Sequence, residues 1–179
     1  MAFDPTLPAT GSPNSSAEMR GQLTALKALI DAQVVATGRV VADWTSSAAS
    51  FGDVPGLAWT VANGENWSAE MVLHAIGGPS GQGLKFRVNG PGAGSVMVAI
   101  QGTGSSGSTA MECEVQTAFG VASPAKTFCT GTSLTGVVRV HVVVAGASAG
   151  VVQLQAASSS AGGTVTIKVN SDLVARRVG

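Results

Sequence analysis

The segment Gly102-Thr103-Gly104-Ser105-Ser106-Gly107 matches GxGxxG letter for letter, the spacing of loops that hold a dinucleotide pyrophosphate against a helix N-terminus. That chemistry needs a helix directly after the last glycine. The chain instead continues through Met111-Glu112-Cys113-Glu114-Val115, an alternation of period two. The glycines are therefore expected in a flexible hairpin loop, with no cofactor. Glu112 and Glu114, one strand repeat apart, could form a carboxylate pair for glycoside hydrolysis. With Met111, Cys113 and Val115 expected on the buried face, both carboxylates should be solvated. Nothing there would raise the pKa of a general acid, and no catalytic residue is expected.

The two histidines, His74 and His141, have no ligand neighbour at HxxxH or CxxC spacing, so no metal site is expected, and His141 shares a strand face with Arg139. No Ser/His/Asp arrangement is expected from the sequence. Cys113 and Cys129 are too few for a secreted disulfide scaffold and too far apart for a zinc knuckle. They are expected to be buried free thiols or, alternatively, a disulfide between neighbouring strands. Trp59 falls in register with Leu57 and Val61, and Trp67 with Met71 and Leu73, so both read as core; Trp44 alone is left to stack on a sugar. Asn14-Ser15-Ser16 and Asn66-Trp67-Ser68 match the glycosylation sequon, here a coincidence of a serine-rich chain.

Composition narrows the function classes further. Only 11% of the 179 residues are charged, against about 25% in ordinary soluble domains, so much of the surface must be wetted by Ser, Thr, Gly, Asn and Gln or covered by partners. Ten basic residues balance ten acidic ones, which argues against nucleic acid and anionic lipid as partners. The opening carries Asp4 where a secretory signal would be basic, and Pro5 and Pro8 interrupt any apolar run. The apolar stretch from Val137 to Ala149 is broken by Arg139, His141 and Gly146, well short of the ~20 residues of a membrane helix. Folding in the cytosol without a membrane anchor is the expectation.

Three kinds of element position these residues. Residues 1–13 contain Pro5, Pro8 and Pro13 and read as an extended arm. From Asn14 to about Ala36 one helix is expected, opened by a capping box at Ser15 and Glu18 and striped by Met19, Leu23, Leu26 and Ile30 at spacings of four and three. Two partners satisfy that stripe: the β domain of the same chain, or copies of itself in a short coiled coil. Residues 1–37 thus form one segment and residues 38–179 a second, of about ten short strands with alternating faces. Leu84, Phe86 and Val88 against Lys85, Arg87 and Asn89 are the clearest example. Glycine, serine and proline turns at spacings near 8–12 residues predict a mainly β fold, an antiparallel, jelly-roll-like β-sandwich, with no parallel βαβ unit.

Two parts of the chain resemble the virion proteins of tailed bacteriophages. Met1–Gln33, with its proline-rich arm and S-A-E-x-R-x-Q-x-x-x-L-K-x-L-I-D helix, is similar to the N-termini of phage fibre and decoration proteins. Phe51–Val61, Gly83–Pro91, Ala161–Val169 and Leu173–Val178 resemble a phage β-sandwich module. Family fibres are often longer, with repeats or a depolymerase, and this chain has neither. The resemblance implies a structural protein of the virion, assembled in the host cytoplasm, with Phe3, Asp4, Pro5, Leu7 and Pro8 in the particle anchor. It implies partners among capsid, neck or tail proteins and, through Met19, Leu23, Leu26 and Ile30, a homotrimer. A host-attachment module touching a surface glycan through loops Gly77–Gly83 and Gly102–Gly107 is the alternative, and a small glycan hydrolase a more distant one.

Overall fold

The computed structural model describes residues 16–32, 35–78, 81–103, 111–121, 127–129 and 135–178. The chain divides into two compact units, Met1–Val34 and Val35–Gly179. In the first, helix α1 spans Ser16–Ala32, with Glu18 in its first turn, where a negative charge complements the helix dipole. The expected cap Ser15 lies outside the described residues. The helix is shorter than expected at its C-terminal end, since Val35–Arg39 is a strand; Val35 and Thr37 are β-branched and pack better on a pleated surface than in a helix.

Eleven strands follow among the described residues: β1 (Val35–Arg39), β2 (Trp44–Ser46), β3 (Gly52–Val61), β4 (Trp67–Ile76), β5 (Leu84–Asn89), β6 (Ala93–Thr103), β7 (Met111–Gln116), β8 (Thr135–Ala147), β9 (Gly150–Ser158), β10 (Val165–Ile167) and β11 (Asp172–Arg177). They form two antiparallel sheets, a β-sandwich as the alternation predicts. The larger runs β1-β11-β4-β8-β6-β7, with β10 beside the far end of β4 and β2 beside β10; the smaller is β3-β9-β5. Every second residue of each inner face is buried: Met71 and Leu73 on β4, Val138, Val140 and Val142 on β8, and Val98 and Ile100 on β6 meet Leu57 and Trp59 on β3, Val152 and Leu154 on β9, and Leu84, Phe86 and Val88 on β5. Trp67 is also core, and Trp44 packs partly buried against it.

The three-stranded sheet reaches the larger one at a close backbone crossing. Pro55 and Gly56 lie where the β3–β9 register shifts between Asp53 and Ala58, a bulge on an edge strand where proline is tolerated. Gly56 has φ +83°, and a Cβ there would run into the Arg39 carbonyl of β1; a Cβ on Gly38 would run into the Gly56 carbonyl. Only paired glycines allow the two strands to approach so closely.

Strand β7 reverses the face expected for it. Glu114 and Gln116 are buried, whereas Met111, Cys113 and Val115 are exposed. The hairpin register is the cause: β6 puts Val98 and Ile100 inside, and it pairs Val98 with Gln116 and Ile100 with Glu114, while opposed residues share a face. The Gln116 amide Nε2 donates to the Phe86 carbonyl of β5 at 3.0 Å and to Glu114 Oε1 at 2.6 Å.

Two of these features have measurable consequences. Phe86 is fully buried against Phe128, ring centroids 5.9 Å apart, so Phe86→Ala should cost roughly 3–5 kcal/mol in denaturant unfolding. Arg87, expected in open solvent, instead donates Nε to Gln155 Oε1 at 2.6 Å and lies over the Phe51 ring at 4.5 Å. Arg87→Ala should therefore cost about 1–2 kcal/mol, and an equal loss at both positions would show that the two faces are alike. The second is acid sensitivity. Glu65 accepts from the Ala62 amide at 2.8 Å, Trp67 Nε1 at 2.9 Å and Arg177 at 3.0 Å, and these bonds, the Ala62 amide first, hold its pKa below the ordinary 4.5. A depressed folded-state pKa contributes stability above the unfolded value, and that contribution is lost as pH falls through the folded one. The melting temperature should drop on acidification below about pH 4.5, and Glu65→Gln should weaken that dependence; an unchanged pH profile would remove Glu65 from the acid response.

Candidate functional site

The outer face of the large sheet, opposite the core, holds a polar groove. Three adjacent strands build it. On β4, Ser68 and Glu70 point outward between buried Trp67, Ala69 and Met71. The antiparallel register sets Glu70 opposite His141 on β8 and opposite Val174 on β11, and Ser68 opposite Arg176. Ser68, Glu70, His141, Val174 and Arg176 line a groove of about 290 Å³, the lower end of the range for small-molecule sites. Ser68 Oγ lies 3.3 Å from His141 Nε2. Glu70 and Arg139 approach to 3.7 Å with both side chains largely in water, a weakly held pair. The Arg176 side chain has no hydrogen bond or ion pair among the described residues.

Chemically this is a set of donors and acceptors rather than a nucleophile with its base. His141 has no second partner among the described residues to orient the imidazole toward Ser68, as acyl-transfer dyads require. The sequence pointed to His141 as a surface residue, and it is exposed. Ser68, Glu70 and Arg176 carried no motif; only the pairing of β4 with β8 and β11 brings them together.

The other sequence candidates are placed as follows. Gly102 and Thr103 end β6, and Thr103 pairs with Met111, the first residue of β7; residues 104–110 and 79–80, which include parts of both glycine-rich loops, lie outside the described residues. Glu114, expected in solvent, is 6% exposed, so one condition for an acid group is met. Its Oε1 is engaged by Gln116, and the groove does not reach it. Glu112 is half-buried, and His74 is half-buried on the outer face of β4. No group of three or more His, Cys, Asp or Glu capable of holding a metal ion occurs among the described residues. The anchor residues Phe3, Asp4, Pro5, Leu7 and Pro8 lie outside them. On α1, Met19, Leu23, Leu26 and Ile30 are exposed by 52%, 61%, 41% and 63%, and Leu29 adds a further 52%.

The fold and groove define the class as an antiparallel β-sandwich, preceded in the sequence by an amphipathic helix. No family model matches this chain, and no curated protein does. Among solved structures, it is similar to the VP2 subviral particle of infectious bursal disease virus at 11% identity and a TM-score of 0.28, over 83% of this chain and 42% of that one. It is similar to the Gx strain of the same virus at 12% identity and a TM-score of 0.25, over 82% and 41%. The chain thus spans less than half the length of these viral structures.

Both cysteines are free thiols, with Cys129 buried and Cys113, against expectation, exposed on the outer face of β7. Burial pushes the Cys129 thiol up to about 11, which leaves almost no thiolate at neutral pH. A thiol reagent should therefore modify one cysteine per folded chain rapidly and the second only on unfolding. Cys113→Ser should abolish the fast phase; retention of that phase would place the reactive thiol at Cys129.

Proposed function

We propose that this chain is a structural protein of a virus particle, a short fibre or decoration protein of tailed-bacteriophage type that is assembled in the host cytoplasm and held to capsid, neck or tail. The observation that carries this reading is the open apolar stripe of α1. Met19, Leu23, Leu26, Leu29 and Ile30 are all exposed on a helix of 17 residues, a length marginal in water without packing. Such a helix needs a partner. Its resemblance to phage N-terminal segments supplies one, with Phe3, Asp4, Pro5, Leu7 and Pro8 in the anchor and the sandwich projecting outward.

The spacing of four and three along the stripe suits a short coiled coil, and a homotrimer is the assembly proposed. A body with 11% charged residues and continuous strand pairing suits a particle that must endure outside cells, where slow unfolding matters more than switching. The role is non-enzymatic in this proposal, and purified protein should release no product from host polysaccharide.

Removing residues 1–13 should leave the thermal unfolding of the β unit unchanged, since a proline-rich arm adds no core, while abolishing incorporation into particles. Light scattering of the full chain at micromolar concentration should give a trimer mass, and Leu23→Glu with Leu26→Glu should reduce it to a monomer. Wild-type incorporation of the truncated chain, or a monomer mass for the parent, would overturn the anchor and the trimer respectively.

A further inference from the structure

The groove on the outer face of the large sheet has a chemistry more specific than a structural role requires. Its two ends differ. One row, Arg176 opposite Ser68, offers an unengaged guanidinium and a hydroxyl. The next row on the same face, two residues along, is His141, Glu70 and Val174. The rows are about 7 Å apart and neighbouring strands about 4.8 Å, so these side chains surround a space one sugar ring across, in agreement with the volume of about 290 Å³.

Guanidinium is a donor only, carboxylate an acceptor only, and hydroxyl and neutral imidazole can do both. A simple anion would be drawn to Arg176 but repelled by Glu70, whose charge the exposed Arg139 at 3.7 Å offsets only weakly. A neutral sugar would suit Glu70, Ser68 and His141 but leave Arg176 without its charge partner. A ligand that satisfies both ends carries one carboxylate and, several ångströms away, hydroxyl groups that donate. Val174, exposed at the β11 end of the second row, provides the apolar contact for the C–H face of such a ring. We propose that Ser68, Glu70, His141, Val174 and Arg176 form a binding site for an acidic sugar, with Arg176 and Ser68 on the carboxylate and Glu70 and His141 on the ring hydroxyls. The proposal goes beyond the particle-structural reading and does not depend on it.

Saturation-transfer NMR on the full chain tests it, with D-glucuronate, D-galacturonate and N-acetylneuraminate as the acidic sugars and D-glucose, acetate and a tetraglutamate peptide as separate probes. At least one acidic sugar should bind at least about tenfold more tightly than glucose, acetate or the peptide, a difference of about 1.4 kcal/mol. Arg176→Ala should reduce that affinity about tenfold or more. Glu70→Gln should weaken the sugar severalfold while leaving acetate no weaker, and Lys85→Ala, on the opposite sheet, should change nothing. Unaltered melting temperatures of the variants separate loss of binding from loss of fold. The proposal is overturned if none of the three acidic sugars binds, if acetate or the peptide binds as well as the sugar, or if Arg176→Ala leaves binding intact.

Discussion

A sheet of three strands has one interior strand and two open edges, and the protein depends on covering both edges of β3-β9-β5. The β3 edge is met by the β1 backbone where Gly38 and Gly56 cross. The β5 edge is met by the connection that follows β7. Leu84 exchanges backbone hydrogen bonds of 2.8 and 2.9 Å with Phe128, the Val88 carbonyl accepts from Gly120 at 2.9 Å, and the Phe86 carbonyl accepts from the Gln116 side chain at 3.0 Å. An unmet polar group at such an edge costs about 1–3 kcal/mol, so leaving several open would consume much of a typical stability of ~5–15 kcal/mol. The inner face of this sheet supplies half of the core, and the core therefore stands on these edge contacts.

With its inner face committed to the small sheet, the larger sheet has one face left outside the core. Buried alternates such as Ala69, Met71, Val140, Val142, Leu173 and Ala175 fix β4, β8 and β11 in register, and that register alone brings Ser68, Glu70, His141 and Arg176 into one groove. A slip of one residue on any of these strands would send its polar member into the core. The precision of the groove is thus inherited from the packing on the other side of the same strands. The small sheet uses its outer polar residues differently: Gln155 Nε2 donates to Asp53 at 2.6 Å while its Oε1 accepts from Arg87, so that face is spent on holding its own strands together.

The strands with strict alternation were legible in the sequence, because a half-buried strand must alternate and few other patterns satisfy that rule. Leu84–Asn89 and Val138–Val142 lie inside and outside as read, and Trp59 and Trp67 are core. The helix stripe was legible for the same reason, with the end near Ala36 overrun by four residues past Ala32. Strand β7 was not legible in this way, since its sequence alternates equally well with either face inward. The choice was made by Val98 and Ile100 across the hairpin and by an edge carbonyl at Phe86, neither of which is local to Met111–Gln116. The groove was illegible because its members come from positions 68–70, 141 and 174–176, and nothing but strand pairing relates them.

The inward polar face of β7 also bears on how copies of this chain can meet. Strand β7 ends the large sheet, and an exposed strand edge invites pairing with the same strand of another molecule. A two-fold antiparallel pair must set like faces opposite one another. Of the registers that overlap most of Met111–Gln116 under that constraint, one pairs Glu112 with Glu114 twice and the other pairs Glu114 with itself. Each thus sets carboxylate against carboxylate, directly opposed like charges that destabilise a sheet, on a face where Glu114 is already buried. Met111, Cys113 and Val115 remain outward, where they add apolar surface without closing a ladder. Edge-to-edge growth of the sandwich is thus disfavoured by the same residues that hydropathy alone would turn the other way.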